Sequence, residues 1–274
     1  MTVFSFSVSQ MFSALSFPSA QIKKLFLIGS DHLAQMRGFI GGVILPAIHP
    51  IRLAGTIAAV SNLIPLIIGL RKYSRLDPGL RLLTINLLIA VIVDIIGYTL
   101  MALFEYNQVI YSLYTPAEFI IFVLVFRHWL SHERLKKILT WSIPVYLVLW
   151  LGGHSWLLIQ GLEEWKNQQL LINDVFLSVE SVFFIIFSIA TLLNIINDET
   201  VPVVRNPVFW VTTAILFYFT GNLFIFAFQR ILLVEGSGLL MVWYLHSALN
   251  FLKNILFAIG LTIAGKNAVA ATQD

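Results

Sequence analysis

Hydrophobic residues run along this chain in seven long stretches, separated by short segments rich in charged and turn-forming residues. Each stretch approaches or exceeds the roughly 20 apolar residues that an α-helix needs to cross a bilayer. Stretches this long are typical of spanning helices, because the strands of a membrane β-barrel are shorter and alternate in polarity. The pattern predicts seven transmembrane helices, over residues 51–70, 82–104, 108–130, 138–160, 170–196, 207–230 and 238–264.

The composition supports lipid as the solvent of this chain. Hydrophobic residues make up 58% of the sequence and charged residues only 11%, whereas soluble domains average about 45–50% and about 25%. We therefore predict an all-α, multi-pass membrane protein, folded as a seven-helix bundle. The chain has no cysteine, which excludes disulfides, thiolate metal sites and cysteine nucleophiles.

Lysine and arginine residues predict the orientation of the bundle. Cytoplasmic connections carry an excess of basic residues, and one of the two possible orientations places ten of them inside against Lys166 and Arg230 outside. We therefore expect the N-terminus outside and the C-terminus in the cytoplasm. The net charge of +3 reflects these basic connections, so we expect no nucleic-acid partner. The ten residues are Arg71, Lys72, Arg75, Arg81, Arg127, Arg134, Lys136, Lys137, Arg205 and Lys266.

The two ends of the chain are predicted to lie outside the bundle. Residues 1–50 lack the basic start of a signal peptide, and we expect a loosely ordered tail with a possible interfacial helix near 38–48. An alternative is that Met36 is the true initiator. The transmembrane domain is assigned to 51–265, and a short cytoplasmic tail to 266–274.

Ionisable side chains inside the spans are the main functional signal. Asp94, Glu118, Glu180, His246 and Lys253 all fall well inside apolar stretches, where a charge costs about 2.5–3.5 kcal/mol even on insertion scales. Such residues usually face the bundle interior, because lipid offers them no partners. The predicted ligand-binding or ion-pair cluster consists of Asp94, Tyr98, Tyr114, Glu118, Glu180, Tyr218, Asn222, His246, Asn250 and Lys253.

Lys253 lies too deep in its span to reach the interface, so we expect it to pair with a carboxylate. Glu118, Asp94 and Glu180 are the candidates, and the sequence does not distinguish between them. Burial disfavours uncompensated charge, so at least one of the three acids is expected to carry a proton at neutral pH. The alternative to a functional cluster is a structural ion-pair network that only fixes helix packing.

Catalytic, metal and cofactor motifs are missing from the sequence. It contains no HExxH, GxSxG, P-loop or dinucleotide fingerprint, and among its histidines only His246 is deep in a span. We therefore expect a non-enzymatic protein without a metal or cofactor. A retinal protein is a remote alternative, since Lys253 lies in the last span and Thr115-Pro116 in the third. The acid, arginine and aromatic positions of the microbial rhodopsin pattern are not matched, with Leu249, Asn107 and Ile110 at three of them.

Two functions remain open at this stage. The first is a sensor or receptor that responds to a small ligand or proton and acts through a partner protein, such as a kinase or another membrane subunit. The second is a small-solute or proton-coupled transporter, or a subunit of one. Transport is favoured by a weak internal repeat, in which Pro78-Gly-Leu-Arg81 before the second span corresponds to Pro202-Val-Val-Arg205 before the sixth.

Four polar segments of the spans carry a resemblance to a known family. They are Leu113-Tyr-Thr-Pro-Ala-Glu118-Phe, Asn206-Pro-Val-Phe-Trp210, Phe217-Tyr-Phe-Thr-Gly-Asn222-Leu-Phe and Leu245-His-Ser-Ala-Leu-Asn250. With these segments, residues 50–265 resemble an uncharacterised bacterial family of seven-span membrane proteins. The resemblance implies the fold and a location in the cytoplasmic (inner) membrane of a bacterium. It implies no substrate, because the family has no assigned activity.

Overall fold

The computed structural model describes residues 45–104, 107–197, 202–234 and 238–270, and these residues form helices joined by short connections. Two of these connections contain short 3₁₀ turns, at Tyr73–Arg75 and Val203–Arg205. The predicted tail over residues 1–44 lies outside the described part of the chain. In chain order the helices are α1 Leu45–Ser61, α2 Leu63–Lys72, α3 Pro78–Phe104, α4 Gln108–Trp129, α5 Glu133–Gln160, α6 Leu162–Ile196, α7 Pro207–Val234 and α8 Gly238–Ala270.

Seven segments of the described chain are long and apolar enough to cross a membrane, as predicted. The prediction of an all-helical, multi-pass membrane protein is therefore confirmed. The helix α8 continues to Ala270, past the boundary at 265 that we assigned to the transmembrane domain. The seven spans are Leu53–Arg75, Pro78–Met101, Gln108–Trp129, Glu133–Gln160, Ile172–Ile196, Pro207–Ile225 and Tyr244–Ala264.

The first span is broken at Asn62 into α1 and α2. Pro65 explains the break, because its ring has no N–H to donate and clashes with the carbonyl group four residues earlier, that of Ser61. The chain tightens there: Asn62 N donates to Ala59 O at 3.2 Å, and the Ser61 hydroxyl donates to Ala58 O at 2.6 Å. By contrast, α4 and α5 continue through Pro116 and Pro144.

The spans pack in chain order around a closed ring. Each helix from α2 to α8 contacts the next one, α8 returns to α1 and α2, and α4 also packs against α6 across the ring. A close approach of α7 and α8 requires glycine at position 260, where a Cβ atom would lie 2.9 Å from the carbonyl oxygen of Pro207. This closed ring places the inward faces of α3, α4, α6, α7 and α8 around one interior.

Large apolar side chains predominate in one half of this interior, which also contains the buried hydroxyl groups of Thr84, Ser188, Thr191 and Thr212. The aromatic rings meet closely: Phe119 stacks on Tyr146 with 3.9 Å between ring centroids, and Phe122 meets Phe184 at 5.3 Å. Consecutive spans alternate in direction, so the helix ends that meet the basic connections lie at one surface of the bundle. On α3, α4, α6, α7 and α8 the large apolar side chains lie between this surface and the intramembrane polar groups. We call them the apolar layer: Leu80, Leu83, Phe122, Phe126, Phe184, Phe187, Val211, Ile215, Phe257 and Leu261.

Candidate functional site

Nine of the ten residues predicted for the polar cluster are buried, and they come from five different helices. Tyr98 is the exception, because 45% of its side chain is exposed. The expectation that every polar stripe faces inward is therefore wrong for Tyr98, although Asp94, one turn earlier on α3, is buried. The nine buried residues are Asp94, Tyr114, Glu118, Glu180, Tyr218, Asn222, His246, Asn250 and Lys253.

A chain of hydrogen bonds links α7 to the middle of α8. The ring nitrogen Nδ1 of His246 lies 2.9 Å from Asn222 Oδ1, and Nε2 lies 2.6 Å from Asn250 Nδ2. Asn250 in turn accepts a hydrogen bond at its Oδ1 from the Lys253 ammonium group at 3.1 Å. We call these four residues the His246 network. Its members on α8 recur at helical spacings of four and three, which puts them on one face.

The donors and acceptors of this network determine the state of the His246 ring. An amide oxygen can only accept and an amide NH₂ can only donate. Nδ1 must therefore carry the hydrogen that is donated to Asn222 Oδ1, and Nε2 must be the bare nitrogen that accepts from Asn250. The arrangement fits a neutral imidazole with its proton on Nδ1, and no other state of the ring satisfies both neighbours in these orientations.

Lys253 is held by an amide and an aromatic ring, and this corrects the expectation of a direct ion pair. Its ammonium group lies 4.0 Å from the centroid of the Tyr218 ring, within the range of a cation–π interaction. Within the described part of the chain, the ion pairs of 4.0 Å or less are His128–Asp77 and Lys136–Glu133. Carboxylates still attract Lys253 at longer range, Glu118 most strongly and Asp94 second.

Glu118 belongs to a second group of contacts, between α3 and α4. The Tyr114 hydroxyl lies 3.2 Å from Glu118 Oε1, one turn later on the same helix, and 3.3 Å from Asn86 Oδ1 on α3. A hydroxyl has one hydrogen to donate, so it bonds one of the two oxygens at a time. Tyr114 therefore places the Glu118 carboxyl group in the interior that Lys253 faces from α8.

Two carboxyl groups of the cluster have oxygens without hydrogen-bond partners among the described residues. Both carboxyl oxygens of Glu180 lack a partner, although its side chain is 0% exposed. Oδ1 of Asp94 also lacks a partner. Glu118 is the carboxyl group with the strongest electrostatic effect on Glu180. A buried polar group without a partner costs roughly 1–3 kcal/mol. Glu180 is therefore the acceptor best placed to take a proton or the donor group of a ligand.

A further group of buried polar residues lies toward the predicted outer end. Asn173 on α6 donates to the Ser112 hydroxyl on α4 at 2.6 Å, and His154 on α5 is also buried. Trp150 lies against His154 with 4.5 Å between ring centroids. The Trp150 side chain is buried as well. We call Ser112, Asn173, His154 and Trp150 the outer cluster.

Sequence reasoning did not include Ser61 and Asn254 in the site. The Asn254 amide on α8 donates to the Ser61 hydroxyl at 2.7 Å, directly at the break between α1 and α2. Asn254 follows Lys253 and extends the polar face of α8 by four residues beyond Asn250, which was a usable signal. Ser61 had a weaker signal, its position four residues before Pro65.

No three potential metal ligands lie together among the residues that the structure describes. The buried residues of the site supply amides, hydroxyl groups, one imidazole, one ammonium group and three carboxyl groups. This chemistry suits proton exchange and the binding of a small polar molecule. Comparison with known proteins finds no matching family model, no matching curated protein and no matching solved structure.

Proposed function

We propose that this integral membrane protein is a proton-responsive sensor, with the His246 network as its switch, that acts through a partner protein. Buried ionisable groups within membrane spans usually carry function. The observation that carries the proposal is the position of the His246 ring between Asn222 and Asn250. In that position the neutral ring satisfies both amides, whereas a protonated ring does not.

Protonation of His246 has a defined consequence for Lys253. A protonated ring donates from both nitrogens, so Nε2–H would face the NH₂ group of Asn250. The amide must then rotate to turn its oxygen toward the ring, and this rotation turns its NH₂ group toward the Lys253 ammonium. Two donors would face each other, and Lys253 would have to leave Asn250. A proton on His246 and the Lys253–Asn250 bond are therefore incompatible.

Among the residues that the structure describes, the titratable groups nearest to the His246 ring lie on α7 and α8. Tyr218 on α7 lies 6.1 Å away between ring centroids, and Lys253 is about two turns further along α8. From α2, Lys72 binds the distant carbonyl groups of Leu261 and Thr262 on α8. The carboxyl groups of Glu118 and Asp94 act on the network through Lys253. A released Lys253 can thus move toward these acids, which lie on α4 and α3.

The apolar layer favours sensing over transport. It lies between the polar cluster and the basic connections on each of the five helices, whereas the outer cluster lies on the opposite side. A transported ion would have to cross tightly packed aromatic rings, and such interiors change arrangement in discrete steps. We infer that protons reach the network from the predicted outer side and that the signal crosses the apolar layer as a movement of α8 against its neighbours.

Distance measurements between two spin labels test this proposal. The chain has no cysteine, so Ser131→Cys after α4 and Ile255→Cys on α8, both at exposed positions, can be labelled selectively. On acidification we expect the distance between these labels to change by about 1–2 Å or more, the scale of helix shifts. The measurement is a double electron–electron resonance titration of the labelled protein in nanodiscs.

Two histidine variants provide the control. His246→Gln removes the titrating ring and should abolish the pH-dependent change in the label distance. His132→Gln removes an exposed histidine at the start of α5 and should leave the change intact. A change of equal size in the His246→Gln protein would contradict the proposed switch.

Transport is the second candidate function, favoured by the outer cluster, which extends the polar interior toward one membrane surface. Reconstituted protein should show no proton flux above that of empty liposomes if the sensor proposal holds. A proton flux that His246→Gln abolishes would replace sensing by proton-coupled transport. The measurement is the decay of a pH gradient reported by a trapped dye.

A further inference from the structure

We infer that a pocket at the basic end of the bundle binds the phosphate headgroup of an anionic phospholipid. The pocket lies between α3, α4 and α5 and has a volume of about 490 Å³. Arg127 and His128 at the end of α4 and Lys136 at the start of α5 line it, together with Leu82 and Leu124. This site is separate from the His246 network, and the inference does not depend on the proposed function.

The pocket has the size and the charge for a headgroup. Its volume falls in the range of about 300–1,000 Å³ that is usual for small-molecule sites. Within the described residues, Arg127 makes no ion pair of 4.0 Å or less, so its planar guanidinium is available for bidentate binding of a phosphate group. Basic pockets between transmembrane helices at the cytoplasmic side are suited to anionic headgroups.

Neighbouring acids do not cancel this charge. Glu133 pairs with Lys136 at 2.8 Å, but its side chain is 76% exposed, and such pairs contribute little stability. Asp77 lies 3.9 Å from the His128 ring. Its Oδ1 already accepts hydrogen bonds from the backbone of Gly79 and Leu80 at the start of α3. A phosphate group can therefore replace Glu133 at Lys136 without competing with Asp77.

The apolar part of the pocket favours a lipid over a free phosphate. Leu82 and Leu124 lie on the hydrocarbon side of the cations, since Leu124 precedes Arg127 by almost one turn and Leu82 lies one turn into α3. Both leucines are partly exposed. A phospholipid would place its phosphate at Arg127 and Lys136 and one acyl chain along these two leucines. A soluble phosphate would leave them uncovered.

Native mass spectrometry of the full chain, with phosphatidylglycerol and phosphatidylcholine as probes, tests the site. We expect the wild-type protein to retain phosphatidylglycerol in preference to phosphatidylcholine. Each charge-assisted hydrogen bond from a pocket cation to the phosphate contributes about 1.5 kcal/mol or more, which corresponds to about tenfold in affinity. Arg127→Gln with Lys136→Gln should therefore weaken phosphatidylglycerol binding by about 100-fold.

The control changes two cations that do not line the pocket. Arg134→Gln with Lys137→Gln removes the same charge from the same end of α5 and should leave binding within about twofold, since it removes only screened surface attraction. Equal losses in the two double variants would overturn the site. So would equal retention of the two lipids by the wild-type protein, a result that does not depend on the folding of any variant. Displacement of phosphatidylglycerol by millimolar inorganic phosphate would reassign the pocket to a soluble phosphate.

Discussion

Asn250→Leu is expected to destabilise the folded bundle by about 3–5 kcal/mol. The substitution removes the acceptor of the Lys253 ammonium group and the donor to His246 Nε2 at once. A buried group that loses its partner costs about 1–3 kcal/mol, and a charged group costs more. The free energy of unfolding can be measured by a detergent-to-denaturing-detergent titration of the purified protein.

Ala248→Leu is the matched control for this prediction. It adds a similar apolar side chain two residues earlier on α8, at an exposed position, and should change the free energy of unfolding by less than about 0.5 kcal/mol. If Asn250→Leu also changed the free energy of unfolding by less than about 0.5 kcal/mol, the amide would not hold Lys253. The His246 network would then contribute nothing measurable to stability.

Lys253→Met is expected to cost about 3–5 kcal/mol, as removal of one partner from a buried charge network usually does. Glu118 is the carboxylate that attracts Lys253 most strongly, so it becomes an uncompensated charge in the variant. Glu118→Gln removes that charge. We therefore expect the double variant to be more stable than the sum of the two single changes predicts, with a coupling free energy of about 1–3 kcal/mol.

The choice of carboxylate can be checked with a second double-mutant cycle. Among the described residues, Lys253 contacts Asn250 and Tyr218, and Glu180 lies on a different helix, α6. Lys253→Met and Glu180→Gln should therefore be additive within about 0.5 kcal/mol. A larger coupling with Glu180 than with Glu118 would mean that the acids are arranged differently around Lys253.

The architecture could be predicted from the sequence because lipid imposes one strict rule. Every spanning backbone must satisfy its own hydrogen bonds, so seven apolar stretches of sufficient length predicted seven helices, and the structure contains them. The break at Asn62 was less accessible. Pro65, Pro116 and Pro144 look alike in sequence, but only the helix around Pro65 is divided. The serine four residues before the proline accepts a hydrogen bond from an asparagine of another helix at both Pro65 and Pro116, so this contact does not single out Pro65.

The candidate site was predictable in its members but not in its contacts. Helical spacing placed His246, Asn250 and Lys253 on one face, and the structure connects them. Spacing along one helix says nothing about which residue of another helix lies opposite. For this reason the ring of Tyr218 and the amide of Asn250 were not foreseen as partners of Lys253. Tyr98 shows the reverse error, since its position one turn after Asp94 did not make it buried.

The protonation state of His246 is the most direct test of the proposed switch. Nitrogen-15 magnetic resonance of ring-labelled histidine, assigned by loss of the signal in His246→Gln, distinguishes the neutral tautomers from the charged ring. At neutral pH we predict a neutral ring with its hydrogen on Nδ1, which becomes charged on acidification while the Lys253–Asn250 bond is lost. A charged ring at neutral pH, or a neutral ring with its hydrogen on Nε2, would contradict the hydrogen-bond chain on which the proposed function depends.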